Sequence, residues 1–369
     1  MENRARKLES YGVETMQSES PYRTQPDYAF WSRSVANGFD PTGLVQYSGQ
    51  FLIGGTDRIV SAGSCFASNI VKPIEAVGFR YVRTEELPFP LSQLPENLGY
   101  RNFSAAYGNI YTARQFRQLL ERAEGIFRPA ENYWLMGEDY VDPFRPGLRY
   151  PAKSLGEYDS IQKHHLNSTK QAFTAADVTV FTLGLTEAWE SIEDGSVYPT
   201  CPGTVNGVFD DQKYRFINFS VTEVVDDMVC AFSIIKSWNP DARFILTVSP
   251  VPLVATATAE HVVTATILSK SILRVAASEV CKKMSDVKYF PSYEIVTGPQ
   301  APKDSFEHNR RDVTKGALEN VMQSLINNCE LPDNDSEIKI AKINNDASIG
   351  SSISRDLMNA ECDEVVLEW

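Results

Sequence analysis

The chain has 369 residues, 43% of them hydrophobic and 22% charged, with a formal net charge of −13. That length buries a sizeable core in one large domain or two modest ones, and the composition is that of a soluble globular protein. Acidic groups outnumber basic ones 48 to 35, which argues against a nucleic-acid partner, since such binding leans on clustered lysine and arginine. No run reaches the roughly 18 apolar residues needed to cross a membrane. The start, Met1-Glu2-Asn3-Arg4, lacks the apolar core of a signal peptide. The six cysteines (Cys65, Cys201, Cys230, Cys281, Cys329, Cys362) are scattered without short pairing or zinc-type spacing. They fit reduced thiols in a cytoplasmic protein. No metal and no cofactor is expected, and the composition leaves the oligomeric state open.

Along the chain, residues 1–45 read as a polar N-terminal extension. Residues 46–330 read as one α/β domain, and 331–369 as an acidic, weakly patterned tail. Within the domain, 58–62 is the first core strand, followed by a helix over 68–77 and a short strand over 79–82. Residues 86–155, rich in Pro, Gly and aromatics, read as an elaborated loop region broken by one helix over 113–124. A helix is expected over 161–175, then a β-branched strand over 178–183 of the kind buried on both faces. A long amphipathic helix over 221–238, a strand over 243–248, a helix over 264–284, a strand over 287–291 and a closing helix over 312–329 complete the pattern. Strands alternating with helices imply an open, mostly parallel sheet between two helical layers, with loop-rich insertions. Ligands of such sheets lie beyond the carboxyl ends of the strands.

Four strand ends carry chemistry. The first is Gly63-Ser64-Cys65, two adjacent nucleophile candidates opening a helix, where backbone N–H groups favour an anion. The second is Gly184-Leu185-Thr186-Glu187. The third is Ser249-Pro250-Val251-Pro252, with His261 downstream and Ser269-Lys270-Ser271 beyond it. The fourth is Pro291-Ser292-Tyr293-Glu294, followed by Asp304 and His308. Lys270 is positioned in sequence to hold an anionic group of a substrate. The pair His164-His165 falls inside a helix and reads as structural or exposed. Trp189 and Tyr293 read as core or pocket wall.

Gly63-Ser64-Cys65-Phe66-Ala67, with Gly108-Asn109-Ile110-Tyr111, Thr182-Leu183-Gly184-Leu185-Thr186-Glu187, Ser249-Pro250-Val251-Pro252 and Phe290-Pro291-Ser292-Tyr293-Glu294, resembles the GSCFA family. That family lies within the SGNH (GDSL-like) hydrolase superfamily, and the resemblance spans roughly residues 20–330. It implies a flavodoxin-like SGNH fold and work on an acyl ester. Set against the superfamily's Gly-Asp-Ser block, Cys65 is the positional match to the nucleophile and Ser64 the chemical match displaced by one. Gly108 resembles the oxyanion glycine, with Asn109 as an added donor. Gly184-Leu185-Thr186-Glu187 resembles the Gly-x-Asn-Asp block, with Thr186 in place of asparagine. The Asp-x-x-His block has its counterpart in Asp304 and His308, one residue too far apart, and His261 is a second candidate base.

Residues and resemblance together imply an esterase or O-acyltransferase acting on a glycan or small acylated metabolite. The alternative is a catalytically weak protein that keeps the pocket to bind a carbohydrate or acyl ligand.

Overall fold

The computed structural model describes residues 20–45, 52–85, 100, 102–148 and 150–332, apart from the side chain of Lys72. The acidic tail expected over 331–369 lies outside these residues from 333 onward. The chain divides into two units after Asp40. In the first, a 3₁₀ turn at Asp27–Ala29 precedes a single helical turn at Trp31–Ser34. Arg33 there pairs with Asp27 and lies over the Phe30 ring.

The second unit holds a five-stranded parallel sheet: β1 (Arg58–Gly63), β2 (Arg80–Tyr81), β3 (Val178–Leu183), β4 (Arg243–Val248) and β5 (Val287–Phe290). Their order is β2-β1-β3-β4-β5, which is the doubly wound, flavodoxin-like 2-1-3-4-5 arrangement. β1 and β3 pair in register from Ile59 opposite Val178 to Gly63 opposite Thr182. Side chains alternate across the sheet with a period of two. Val60, Ala62, Phe181 and Leu183 join a core with the helices Ala113–Glu124, Leu155–Ala175, Val221–Trp238 and Val262–Lys283. Ile59, Val178 and Val180 join another with Val71–Val77, Ser292–Val296 and Lys315–Ile326. Phe181 stacks on Phe116 at 4.2 Å and Phe244 on Phe232 at 4.0 Å. Each fully buried phenylalanine of this kind contributes about 1.5–3 kcal/mol. The expected three-layer α/β architecture is present.

Helix starts follow side-chain caps more closely than apolar periodicity. Ser154 accepts from Glu157 N–H, so the helix expected from 161 begins at Leu155. Thr314 accepts from Ala317 N–H, so the one expected from 312 begins at Lys315. His261 itself caps Val262–Lys283, its Nδ1 accepting from Val263 N–H at 3.2 Å. The helix after β1 is split into Cys65–Ser68 and Val71–Val77. Pro73 explains the break, because it has no N–H to offer the carbonyl four residues back.

Two small antiparallel sheets decorate this frame. One is a hairpin, Trp134–Met136 with Asp139–Val141, inside the stretch expected to be loop. The other pairs Glu187–Ser191 with Val197–Tyr198 on one side and Tyr214–Asn218 on the other. Neither has a sequence signal of its own. Rings distant in sequence hold them, with Trp134 packed on Tyr198 and Trp189 on Phe216.

Candidate functional site

In a 2-1-3-4-5 sheet the chain leaves β1 and β3 toward opposite layers, which opens a crevice at their carboxyl ends. Both of the first two strand-end motifs stand at that switch point. Gly63 ends β1 with φ +135°, where a Cβ would overlap the Thr182 carbonyl and lie 2.7 Å from its nitrogen. Only glycine lets the two strands stay paired up to their ends here. Across the crevice, a Cβ on Gly184 would lie 2.9 Å from Tyr111 O and 3.0 Å from Ser64 Cβ. The two glycines therefore bring Ser64 against the β3 exit. Residues 110–111 lace the motifs together: Ile110 N–H donates to Gly63 O at 2.8 Å, and Gly184 and Leu185 N–H both donate to Tyr111 O.

The two nucleophile candidates differ in access. Ser64 occupies the N-cap position, is 3% exposed, makes no capping bond, and its Oγ has no hydrogen-bond partner among the described residues. Cys65 opens the helical turn and is half-buried. A reacting atom must be reachable by its substrate, and in this respect the thiol has the advantage over the hydroxyl. The turn it opens is only four residues long, so the helix-dipole contribution expected from the sequence is confined to one turn.

The second motif is built into its surroundings. Thr186 N–H donates to Ser269 Oγ at 3.0 Å, and its hydroxyl reaches Asn218 Oδ1 at 2.6 Å and Ser269 Oγ at 3.1 Å. Lys270, 2% exposed, donates from Nζ to Gly184 O at 2.5 Å. Glu187 accepts from Thr256 Oγ1 at 2.7 Å and from Ala257 N–H at 3.3 Å, tying the 253–257 loop to the strand Glu187–Ser191. From Leu185 onward these pieces enclose a cleft of about 280 Å³, lined by Glu187, Trp189, Tyr198, Cys201 and Thr256 among others. Burial pushes the Cys201 thiol up to about 11 and Cys329 up to about 12. Cys230 and Cys281 are also raised, with burial the largest cause. None of these four is a thiolate at neutral pH. No group of three or more His, Cys, Asp and Glu among the described residues is placed to hold a metal ion.

A family model described as the GSCFA family matches residues 58–325. It runs from the first residue of β1 into the closing helix. The chain belongs to the GSCFA family. No curated protein matches it. Among solved structures it is similar to a carbohydrate esterase family 3 protein from Talaromyces cellulolyticus, at 8% identity over 73% of this chain and 94% of that one, TM-score 0.32. The periplasmic domain of a Salmonella ser. Paratyphi A lipopolysaccharide acetyltransferase gives 12% identity over 76% and 85%, TM-score 0.32. A candidate platelet activating factor from Streptococcus pneumonia gives 14% over 47% of this chain and 66%, just under two thirds, of that one, TM-score 0.27. Overlays this weak carry no argument, and the fold rests on the sheet order itself.

This GSCFA chain places its remaining candidates unevenly. Gly108 adopts φ +66°, and Asn109, 9% exposed, lines a small cavity beside the cleft. His261 stands at the start of the helix that carries Ser269 and Lys270, directly after the cleft-lining loop. Because its Nδ1 accepts the cap bond, the neutral ring carries its proton on Nε2. Asp304 and His308 are exposed on the loop before the closing helix. There the Asp304 carbonyl accepts from Thr314 Oγ1, and neither its carboxylate nor the His308 ring bonds to another described residue. Sequence reasoning missed a buried group around the cavity: Glu85, Asp142, Arg122, Arg145 and His165. The one available signal was His165 beside exposed His164, a helix-face contrast that periodicity could have assigned. No helix of the described residues is long and apolar enough to cross a membrane.

Proposed function

We propose that this GSCFA protein is an esterase or O-acyltransferase of the SGNH type, with Cys65 as nucleophile and an O-acylated sugar or small acylated metabolite as substrate. The observation that carries the reading is the contrast at the switch point, where Cys65 is half-buried while the Ser64 hydroxyl is buried. The neighbouring cleft, with Trp189 and Tyr198 on its walls and Glu187, Thr200 and Thr256 as polar points, suits a sugar ring or a short acyl chain.

In the proposed reaction the thiol proton passes to a base, and the sulfur attacks the ester carbonyl carbon. The tetrahedral intermediate collapses with loss of the alcohol, which leaves with that proton. Water or an acceptor hydroxyl then attacks the thioester and gives its proton to the base. The C–S bond breaks, and the sulfur regains a proton. Gly108 and Asn109 are assigned to the oxyanion, where one donor is typically worth about 3 kcal/mol. Lys270 holds the Gly184 carbonyl and so sets the turn that faces the nucleophile. His261 is assigned as the base over His308, because it borders the cleft-lining loop and the helix behind the site. To take a proton it must release its cap on Val263 N–H. His261→Asn keeps a capping side chain and removes the base, so it is expected to lose activity without losing stability.

The deciding experiment is turnover of a short-chain nitrophenyl ester with intact-mass detection of an acyl adduct. Cys65→Ala is expected to lower kcat by about 1000-fold or more, with Ser64→Ala staying within tenfold. The opposite pattern transfers the role to Ser64. One observation favours a second reading: both donors of Thr186 are engaged internally. Wild-type protein that binds an acylated sugar, yet shows neither turnover nor adduct, would establish a binding-only pocket.

A further inference from the structure

Beside the cleft lies a small cavity of about 30 Å³, between the helices Ala113–Glu124 and Leu155–Ala175 and the Phe144-Arg145 segment. That is more than the roughly 10–15 Å³ one water requires. Three polar atoms on residues of its wall have no hydrogen-bond partner among the described residues: Arg122 Nη2, Gln115 Nε2 and His165 Nε2. Their side chains belong to residues only 6%, 8% and 1% exposed. Buried polar atoms are nearly always paired, so three orphans on one cavity identify a site.

The chemistry of each orphan is determined by its other contacts. Gln115 Oε1 accepts from Tyr111 and Thr112 N–H at 2.9 and 2.8 Å, which commits its NH₂ to the opposite side. His165 Nδ1 lies 2.7 Å from Glu85 Oε2, and a carboxylate only accepts, so that nitrogen carries a proton. Arg122 lies over the Phe144 ring at 4.1 Å, and its guanidinium donates to no described residue. Arg145, by contrast, donates from Nε to Asp142 and from Nη1 to Glu85 and the Ala106 carbonyl. The two arginines balance the two carboxylates in charge, but Arg122 has no acceptor to receive its donors.

We propose that this cavity is a binding site for a small monovalent anion, a halide or a short carboxylate, held by Arg122, Gln115 Nε2 and a protonated His165 Nε2. The neutral ring turns a lone pair toward the cavity and repels an anion. Burial first, and Arg145 second, hold His165 below the ordinary imidazole range against the pull of Glu85 and Asp142. Anion and proton therefore enter together, adding +1 and −1 to a cluster that is otherwise neutral. A dianion would leave an unbalanced charge among buried groups and is refused.

The test uses the full chain, with gluconate, too large for the cavity, as balancing anion at constant ionic strength. At pH 6, bromide or acetate is expected to raise the unfolding midpoint saturably. The apparent affinity should fall about tenfold per pH unit above the His165 titration, as one coupled proton requires. A midpoint shift with bromide alone assigns a halide, and one with acetate a short carboxylate. Gln115→Glu keeps an acceptor for the Tyr111 and Thr112 amides but turns an anionic oxygen into the cavity, and it should abolish the response. If that variant does not fold, crystals of wild type soaked in bromide decide, with an anomalous peak expected between Arg122 and His165. Absence of both the saturable shift and the peak means the cavity holds water only and overturns the proposal.

Discussion

Two cavities of this molecule, one with apolar walls and one with a charged cluster, are built on opposite principles. The cleft beyond the β3 exit is about 280 Å³, walled mainly by aromatic and aliphatic side chains, with Glu187 the one carboxylate among its lining residues. The cavity beside it is about 30 Å³ and gathers Arg122, Arg145, Glu85, Asp142 and His165, each 9% exposed or less. An open apolar wall leaves polar groups free to meet a ligand. A buried charged cluster must find partners for its members, within the fold or in a bound ligand, or destabilise the fold. Substitutions in the cavity should therefore act on stability, and substitutions in the cleft on turnover.

The sharpest way to break that contrast is Arg145→Met. It leaves the Glu85 and Asp142 carboxylates buried without their guanidinium and is expected to cost about 3–5 kcal/mol in urea unfolding. A variant that keeps its stability would show that the cluster is not held together by charge. Acid should act next. Burial alone would raise the Glu85 carboxyl, but His165, Arg145 and the Ala106 N–H outweigh it and hold it down at about 2. Asp142 is lowered likewise, with burial opposed by Arg145 and Arg122. Their contribution is complete above the unfolded carboxylate pKa and is lost as pH falls from about 4.5 toward 2. For Glu85 it is on the order of 3 kcal/mol.

His165 adds an earlier loss. Its folded pKa is depressed, so below about 6.5 the unfolded chain takes up a proton that the native ring refuses. His165→Gln should flatten the pH-stability curve just below 6.5 and leave the carboxylate limb in place. In the cleft the expected effect is smaller and of another kind. Trp189→Ala removes one ring of the wall and should raise KM for the best acyl substrate about tenfold with kcat little changed, as loss of about 1.4 kcal/mol of uniform binding requires. A fall in kcat instead would place Trp189 against the reacting atoms.

Much of the frame was readable in order along the chain. The strands 178–183 and 243–248 and the helices 113–124 and 221–238 have the bounds their patterns imply, because each is long and continuously buried along one face or both. The helix 155–175 began earlier than its apolar pattern, since Ser154 starts it by capping a polar turn. The helix expected over 68–77 begins instead at Val71, after the separate turn Cys65–Ser68, because Pro73 has no N–H to offer Asn69. The antiparallel strands 187–191 and 214–218 were not readable, because their partners lie tens of residues away and their stability comes from rings such as Trp189 on Phe216. At the site, the motif Gly63-Ser64-Cys65 was legible as a position. Which of its two residues stays accessible was not.

The sequence by itself determined the family, the alternation of strands and helices, and the two glycine-ended strands that meet at the switch point. These are local properties: a β-branched run, a glycine where no Cβ fits, a short motif. Tertiary structure alone decided that Ser64 is sealed while Cys65 stays accessible, that Thr186 spends its donors on Ser269 and Asn218, and that His165 meets Glu85 across 80 residues of chain. Access, donor satisfaction and charge pairing depend on what packs against a residue. No neighbour in the sequence carries that information.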